Sequence, residues 1–272
     1  MRVKHDERRR RYRIKLLTGI VMMLGVGLRI AYEYYPPFRG WVTLLIWRPN
    51  QRLVCDGDLK LTLRGRTLRT RGTSVSILAR DYCELTLQEC VIDGRMPLSI
   101  EGHAHVTIEG GTITAHRGGI FLRKDASLLL DKVKLTQRSP GAYKMLSLSQ
   151  QAIVVTRGVT IEGRQPLVGI SGDARADLGD TRLQMRRYIH TAALQLRDRA
   201  QVLLDAGAVS SPAKAISLRG SAQLLLKGTR IAGRIVVDSP NAHVRQLQDR
   251  AQLDKARAKL RRRGSAPARV AN

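Results

Sequence analysis

A small or apolar residue returns at a near-constant interval along most of this chain: Leu59, Cys83, Ala104, Ala126, Ala152, Ala174, Ala200 and Ala222, with a weaker ninth at Ala242. The spacings are 24, 21, 22, 26, 22, 26, 22 and 20. The position nine after each anchor is apolar in every repeat: Leu68, Ile92, Ile113, Leu135, Ile161, Leu183, Val209 and Ile231. Six before the anchor stand Ile77, Leu98, Ile120, Leu146, Val168, Leu194, Ile216 and Val236. Between these points the residues alternate polar and apolar, as in "HAHVTIEGGTI" (His103 to Ile113). A period of 20 to 50 residues is the mark of a chain built by stacking one unit on the next.

Each repeat reads as three short strands: one ending just before the anchor, one from the anchor to four residues after it, and one around the position nine after. Turn-forming segments separate them, "SGDA" and "RGSA" at the first corner, "EGG", "DAG" and "KGT" at the second. Period-two alternation turns one face of each strand inward. A coil of about 22 residues with three sides is a right-handed parallel β-helix, whose rungs stack about 4.8 Å apart with equivalent positions in line. The expected fold is therefore all-β, with about eight to nine three-strand rungs. A leucine-rich repeat would need an Asn ladder and a helical half, and a propeller would need repeats near 40 residues. Aromatic residues make up only 4% of the chain, so Leu, Ile, Val and Ala must fill the core.

The two ends break the pattern. Residues 1–15 carry eight basic and two acidic side chains, and Leu16–Leu28 follows without a charge. If Arg29 snorkels, residues 14–32 form a transmembrane anchor with Tyr32, Tyr34 and Tyr35 at the interface. The basic flank places the N-terminus in the cytoplasm of a bacterial inner membrane and the rest on the periplasmic or extracytoplasmic side. A cleaved signal peptide and a peripheral helix are the alternatives. Pro36-Pro37 predicts a break, and "WVTLLIW" (Trp41–Trp47) reads as an entry strand or capping segment. From Asn241 onward "VRQLQDRAQLDKARAKLRRR" predicts a basic helix that caps the last open rung, with a disordered tail after Gly264. The expected organisation is 1–35 basic tail and anchor, 36–58 linker and entry cap, 59–243 β-helix, and 244–272 basic helix and tail.

The net charge is +26, and about half of that excess lies in the repeats rather than the ends. A field of this sign favours acidic partners. Cys55, Cys83 and Cys90 form no CxxC motif, and the expectation is inert core thiols, with a single disulfide or a metal site as alternatives.

The repeats resemble those of right-handed parallel β-helix proteins, a fold known from pectate-lyase-like polysaccharide enzymes, and also bacterial envelope proteins with "SGxA" corners. The resemblance covers about Leu59 to Ala242. The enzymes of that fold use clustered outward carboxylates, whereas here only Glu84 and Asp177 are acidic at the positions one and three after each anchor. Bactofilins, which form filaments, are similar in kind but have shorter rungs.

Three constellations stand out. Glu84, His103, His105 and Asp125 bear imidazole and carboxylate groups on adjacent rungs, a set that could hold zinc or copper, against the simpler reading of a solvated polar face. Two rungs carry four extra residues at one corner, Thr136–Met145 and Gln184–Ala193. With "EGRQP" between them, Arg138, Tyr143, Lys144, Arg164, Arg186, Arg187, Tyr188 and His190 are expected to form a basic, aromatic ledge suited to carboxylate or phosphate. Leu129, Val155, Leu203 and Leu225 form an outward apolar stripe, interrupted by Asp177, which the C-terminal helix or a partner should cover. No P-loop, dinucleotide fingerprint or nucleophile elbow occurs, so no cofactor is expected. The sequence points to a membrane-anchored, non-enzymatic scaffold or binding module of the bacterial envelope, with an acidic polysaccharide or a protein partner as ligand and nucleic acid ranked below both. The alternatives are a carbohydrate-active lyase or hydrolase and a cytoplasmic polymer-forming scaffold.

Overall fold

Strand pairing runs from each repeat to the next, always parallel and in the register set by the anchors. In the computed structural model, which describes residues 21–31, 35–70, 75–138, 143–164, 166–186 and 191–262, the second side is a nine-stranded sheet running from Lys60–Arg64 to His243–Gln246. Its pairing places Lys60, Glu84, His105, Ser127, Ile153, Arg175, Gln201, Gln223 and His243 in one column. The third side aligns Leu68, Ile92, Ile113, Leu135, Ile161, Leu183, Val209 and Ile231 in the same way. The molecule is a parallel β-solenoid of about eight turns, as the period requires.

The first and third sides belong to one 15-stranded sheet, because Ala208–Leu218 passes through the third corner as a single strand. The register slips once, in the last turn. Ile216 pairs with Ile235 across an irregularity, not with the expected Val236.

Inward positions are filled by aliphatic side chains with almost no exposure, among them Leu85, Ile113, Leu135, Ile161 and Leu178. Thr156 is a polar residue at an inward position, and its hydroxyl is satisfied by Thr181 Oγ1 at 2.6 Å. The second corner needs a left-handed residue in each turn, and "EGG" meets that need with Gly110 at φ 67°. A Cβ on the next residue, Gly111, would lie 2.1 Å from the Cys90 carbonyl oxygen, so the close stacking of that corner admits only glycine.

Outside the rungs the structure departs from several expectations. The chain divides into two compact units, residues 1–46 and 47–272. In the first, residues 21–31 are helical (α1) and Pro36–Ile46 forms a second helix, α2. The "WVTLLIW" segment is therefore helical as far as Ile46, not an entry strand. The two prolines sit in the first turn of α2, where the absent N–H costs no helical bond. No helix among the described residues is long and apolar enough to cross a membrane. Residues 14–20 and 32 of the expected anchor lie outside the described residues.

In the second unit, Cys55 and Cys83 form a disulfide with Cα atoms 5.7 Å apart, which corrects the expectation of inert core thiols. Cys55 closes the first-side strand of one turn, and Cys83 opens the second side of the next, so the bond staples two turns at the first corner. Cys90 is a buried free thiol, and burial pushes its pKa up.

The C-terminal helix α3 (Arg250–Arg262) does not close the open end. It lies along the second-side sheet, against Arg175–Gly179 and Gln201–Asp205. Its Leu253 and Leu260, with Leu247, pack on Leu203, and Leu225 and Ala256 join them. Arg257 donates to Asp177 at 3.2 Å and to Asp205 at 2.9 Å. The helix takes this lateral position because the outward stripe offers both the apolar surface and the two carboxylates that one face of α3 needs. Leu203 and Leu225 are covered as the intramolecular reading expected.

The disulfide is directly checkable. Protein purified without reductant and then denatured should expose one reactive thiol, and three after reduction. Replacing Cys55 by Ser should lower stability by about 2–4 kcal/mol in thermal or denaturant melts.

Candidate functional site

The third corner follows the third-side strands Val91–Gly94, Thr112–Ala115, Lys134–Gln137, Thr160–Gly163 and Arg182–Met185. The next residue after each strand is basic: Arg95, His116, Arg138, Arg164 and Arg186. The pairing of the strands puts these five residues in register. Backbone bonds carry that register into the corner, with His116 N donating to Gly94 O at 3.0 Å, Arg138 N to Ala115 O at 2.9 Å, and Arg186 N to Gly163 O at 2.9 Å. One cation per turn, about 4.8 Å apart, forms a column parallel to the solenoid axis.

Two acids lie on the strands beside this column. Asp93 Oδ1 is 2.6 Å from His116 Nε2. Glu162 is shared between Arg186 at 3.2 Å and Lys134 at 3.5 Å. Among the described residues Arg95, Arg138 and Arg164 take part in no ion pair. The adjoining segments 139–142, 165 and 187–190 contain no Asp or Glu, and they add Arg187 and His190 to the sequence here.

Other outward positions of the solenoid show the opposite habit, with opposite charges meeting on successive turns. Lys60 pairs with Glu84 at 2.8 Å, Asp173 with Arg199 at 2.7 Å, Arg219 with Asp238 at 2.8 Å, and Arg80 with Asp56. Arg80 lowers the pKa of Asp56 by its hydrogen bond, and Arg219 does the same to Asp238. The third corner is distinguished by a basic residue at the same position of five successive turns, with acids engaging only His116 and Arg186 of the five.

Of the expected ledge, Arg138, Arg164 and Arg186 stand exposed on this column. Tyr143 is 47% exposed, sits edge-on to Phe121 with ring centres 6.3 Å apart, and accepts at its carbonyl from Gln137 Nε2 at 2.7 Å. Arg187, Tyr188 and His190 lie outside the described residues. Lys144 behaves differently from the projecting cation expected of it. A Cβ on Gly169 would lie 2.1 Å from Lys144 Cδ, so the lysine stem lies across the first-side strand of the next turn, in a space that glycine leaves open. Burial there lowers its pKa, and the nearby Arg197 charge acts in the same sense.

Arg95 and His116 belong to the same column, and sequence reasoning missed them. The signal was available: both stand twelve residues after their anchors, as Arg138, Arg164 and Arg186 do.

The expected metal set is not assembled. Glu84 is held by Lys60. His105 bonds Ser127 through Nδ1. His103 stacks on Tyr82 with ring centres 5.0 Å apart and faces Asp125 at 3.5 Å from the first corner. Among the described residues no group of three or more His, Cys, Asp or Glu side chains could hold one metal ion. Comparisons with protein-family models, curated proteins and solved structures found no match to this chain.

The half-buried Lys144 cation gives a pH-dependent expectation. Below its lowered folded pKa, Lys144 is charged in both states, and its burial costs stability in full. As pH rises from that value to the ordinary 10.5, the folded protein sheds the proton first and the cost fades. Lys144→Met should therefore raise the melting temperature at neutral pH, and its advantage over the parent should shrink towards zero as pH approaches the ordinary lysine value.

Proposed function

We propose that this chain is a non-enzymatic binding scaffold that presents the basic third corner of a rigid solenoid to an acidic polymer or an acidic protein surface. The observation that carries this reading is the row of five basic residues at that corner, of which Arg95, Arg138 and Arg164 take part in no ion pair among the described residues. Like charges directly opposite each other on neighbouring strands destabilise a sheet, and elsewhere the outward rows offset such charges with acids on the next turn. A bound anion would offset them here. A lyase or hydrolase would instead need acid and base groups free to act on a substrate, and the two acids beside the column are each engaged with cations.

The proposed location is the periplasmic side of a bacterial inner membrane, tethered through residues 14–32 with the N-terminus in the cytoplasm. Three features support it. The N-terminal basic run precedes an uncharged segment. The described part of that segment, α1, exposes Val21, Met22, Met23, Leu24, Val26, Leu28 and Ile30 at 54–80%, an apolar surface of the kind that marks a covered face. The Cys55–Cys83 bond fits an oxidising compartment, which also weighs against a cytoplasmic polymer-forming scaffold. The right-handed coil of the fold is part of the same proposal.

The full chain in detergent micelles should bind immobilised polygalacturonate or heparin at low salt and release both as ionic strength rises, while leaving neutral dextran unbound. Lack of binding to either anion at low salt would remove the reading.

A further inference from the structure

We infer that the groove between α3 and the second-side sheet binds a single-chain anionic amphiphile, one acyl or alkyl chain ending in a carboxylate or phosphate. The site lies apart from the third corner, and it stands or falls separately from the reading of that corner.

The groove is built from the last turns of the sheet and one face of α3. Strand pairing puts Gln201, Gln223 and His243 in one column of its floor, and Leu225 with Arg245 in the column two residues on. Gln252, Lys255, Ala256, Lys259 and Leu260 form its wall, a spacing of three and four that keeps them on one side of the helix. The opposite flank of α3 is occupied, with Arg257 reaching Asp177 and Asp205. On the groove side the column of Gln201, Gln223 and His243 is left at least half-exposed. The space between has a volume of about 400 Å³, near the lower end of the roughly 300–1,000 Å³ usual for small-molecule sites.

Two kinds of surface meet there. Leu225, Leu247, Ala256 and Leu260 line the groove and belong to the apolar cluster that seats α3, so a hydrocarbon chain laid here extends an existing core. At the rim His243, Arg245, Lys255 and Lys259 are exposed and, among the described residues, take part in no ion pair. No Asp or Glu lines the groove among the described residues. The acids nearest in sequence are directed elsewhere. Asp249 accepts from the Gln252 amide at 2.7 Å, and Asp254 falls on the face of α3 opposite Gln252 and Lys259, at about 3.6 residues per turn. A cationic rim above an apolar floor complements one negative head on one apolar tail, with the head held by charge-assisted hydrogen bonds.

The dimensions disfavour larger acidic partners. Two steps between turns advance the floor by roughly 10 Å, enough for only about three residues of an extended peptide. Single-stranded nucleic acid needs aromatic side chains on which to stack its bases, and His243 is the one ring lining the groove among the described residues. Residues 263–272 carry Arg263 and Arg269 and no Asp or Glu, so the charge of the rim disfavours that segment as its filling.

The test uses the full chain in a nonionic detergent and a photoreactive decanoate with a diazirine at the tail end, the labelled residues being mapped by mass spectrometry. Helix α1, with its exposed apolar residues, provides the reference for general apolar contact. Labelling relative to α1 should concentrate on residues 223–225 and 247–260. It should fall at least about tenfold in Lys255→Ser/Lys259→Ser, which removes two charged donors. Gln223→Trp, which fills the floor from an exposed strand position, should reduce it comparably with an unchanged melting curve. Arg230→Ser/Arg234→Ser, which takes equal charge from the last turn outside the groove, should leave it unchanged. Unlabelled decanoate or decyl phosphate should displace the probe, and the stronger competitor identifies the head group. The site is overturned if neither displaces it, or if labelling follows α1 throughout. It is equally overturned if the same chain ending in trimethylammonium labels the groove as well, or if the two arginine substitutions weaken labelling as much as the two lysine substitutions.

Discussion

Parallel backbone hydrogen bonding between successive turns is the constraint on which the rest of this molecule depends. Because each strand pairs with its counterpart one repeat away, a position in the repeat becomes a column in space. Whatever residue type the sequence places at that position is multiplied along the axis. Aliphatic residues at the inward positions become a continuous core. A left-handed position at the second corner becomes a column that glycine, and less easily Glu89, Lys132 or Asp180, must fill in turn. Charges obey the same multiplication, which is why the sign of a column matters more than the sign of any one residue.

The outer surface shows two responses to that fact. At the first corner and along the second side, acids and bases alternate from turn to turn and neutralise one another. Under α3 the acids of two neighbouring turns, Asp177 and Asp205, meet a single guanidinium, Arg257, which enters on a separate element. At the third corner Asp93 and Glu162 answer His116 and Arg186, while Arg95, Arg138 and Arg164 take part in no ion pair among the described residues.

Most of the fold was legible because periodicity is a direct record of pairing. The register read from the anchors holds on all nine second-side strands, and it fails only where Ile216 meets Ile235. What escaped was whatever depended on proximity between unlike positions. Cys55 ends a first side and Cys83 begins a second, so no single column contains both, and their pairing left no periodic trace. The placement of α3 is half visible in the sequence: the stripe of Leu203 and Leu225 marks a covered face, but an open last rung also needs covering, and sequence alone does not rank the two edges. The lysine at 144 reads as a projecting cation in a long corner, but Gly169, a residue without a side chain at an outward position of the following turn, leaves room for its stem to lie down. The segment Trp41–Trp47 looked like a strand by its apolar run, and short apolar runs do not separate strand from helix by themselves. The basic column itself was half seen, through its two long corners and not its short ones.

The claim that unlike corners of the sequence are brought into one straight, in-register column is open to a direct measurement of distance. With Cys90 replaced by Ala to leave only the native disulfide, Arg138→Cys can be combined either with Arg164→Cys, one turn away, or with Arg186→Cys, two turns away. A bifunctional thiol reagent short enough to span one turn and not two, followed by mass spectrometry, should join the first pair in high yield and leave the second unjoined. Equal joining of both pairs, or joining of the second alone, would contradict the register and with it the column.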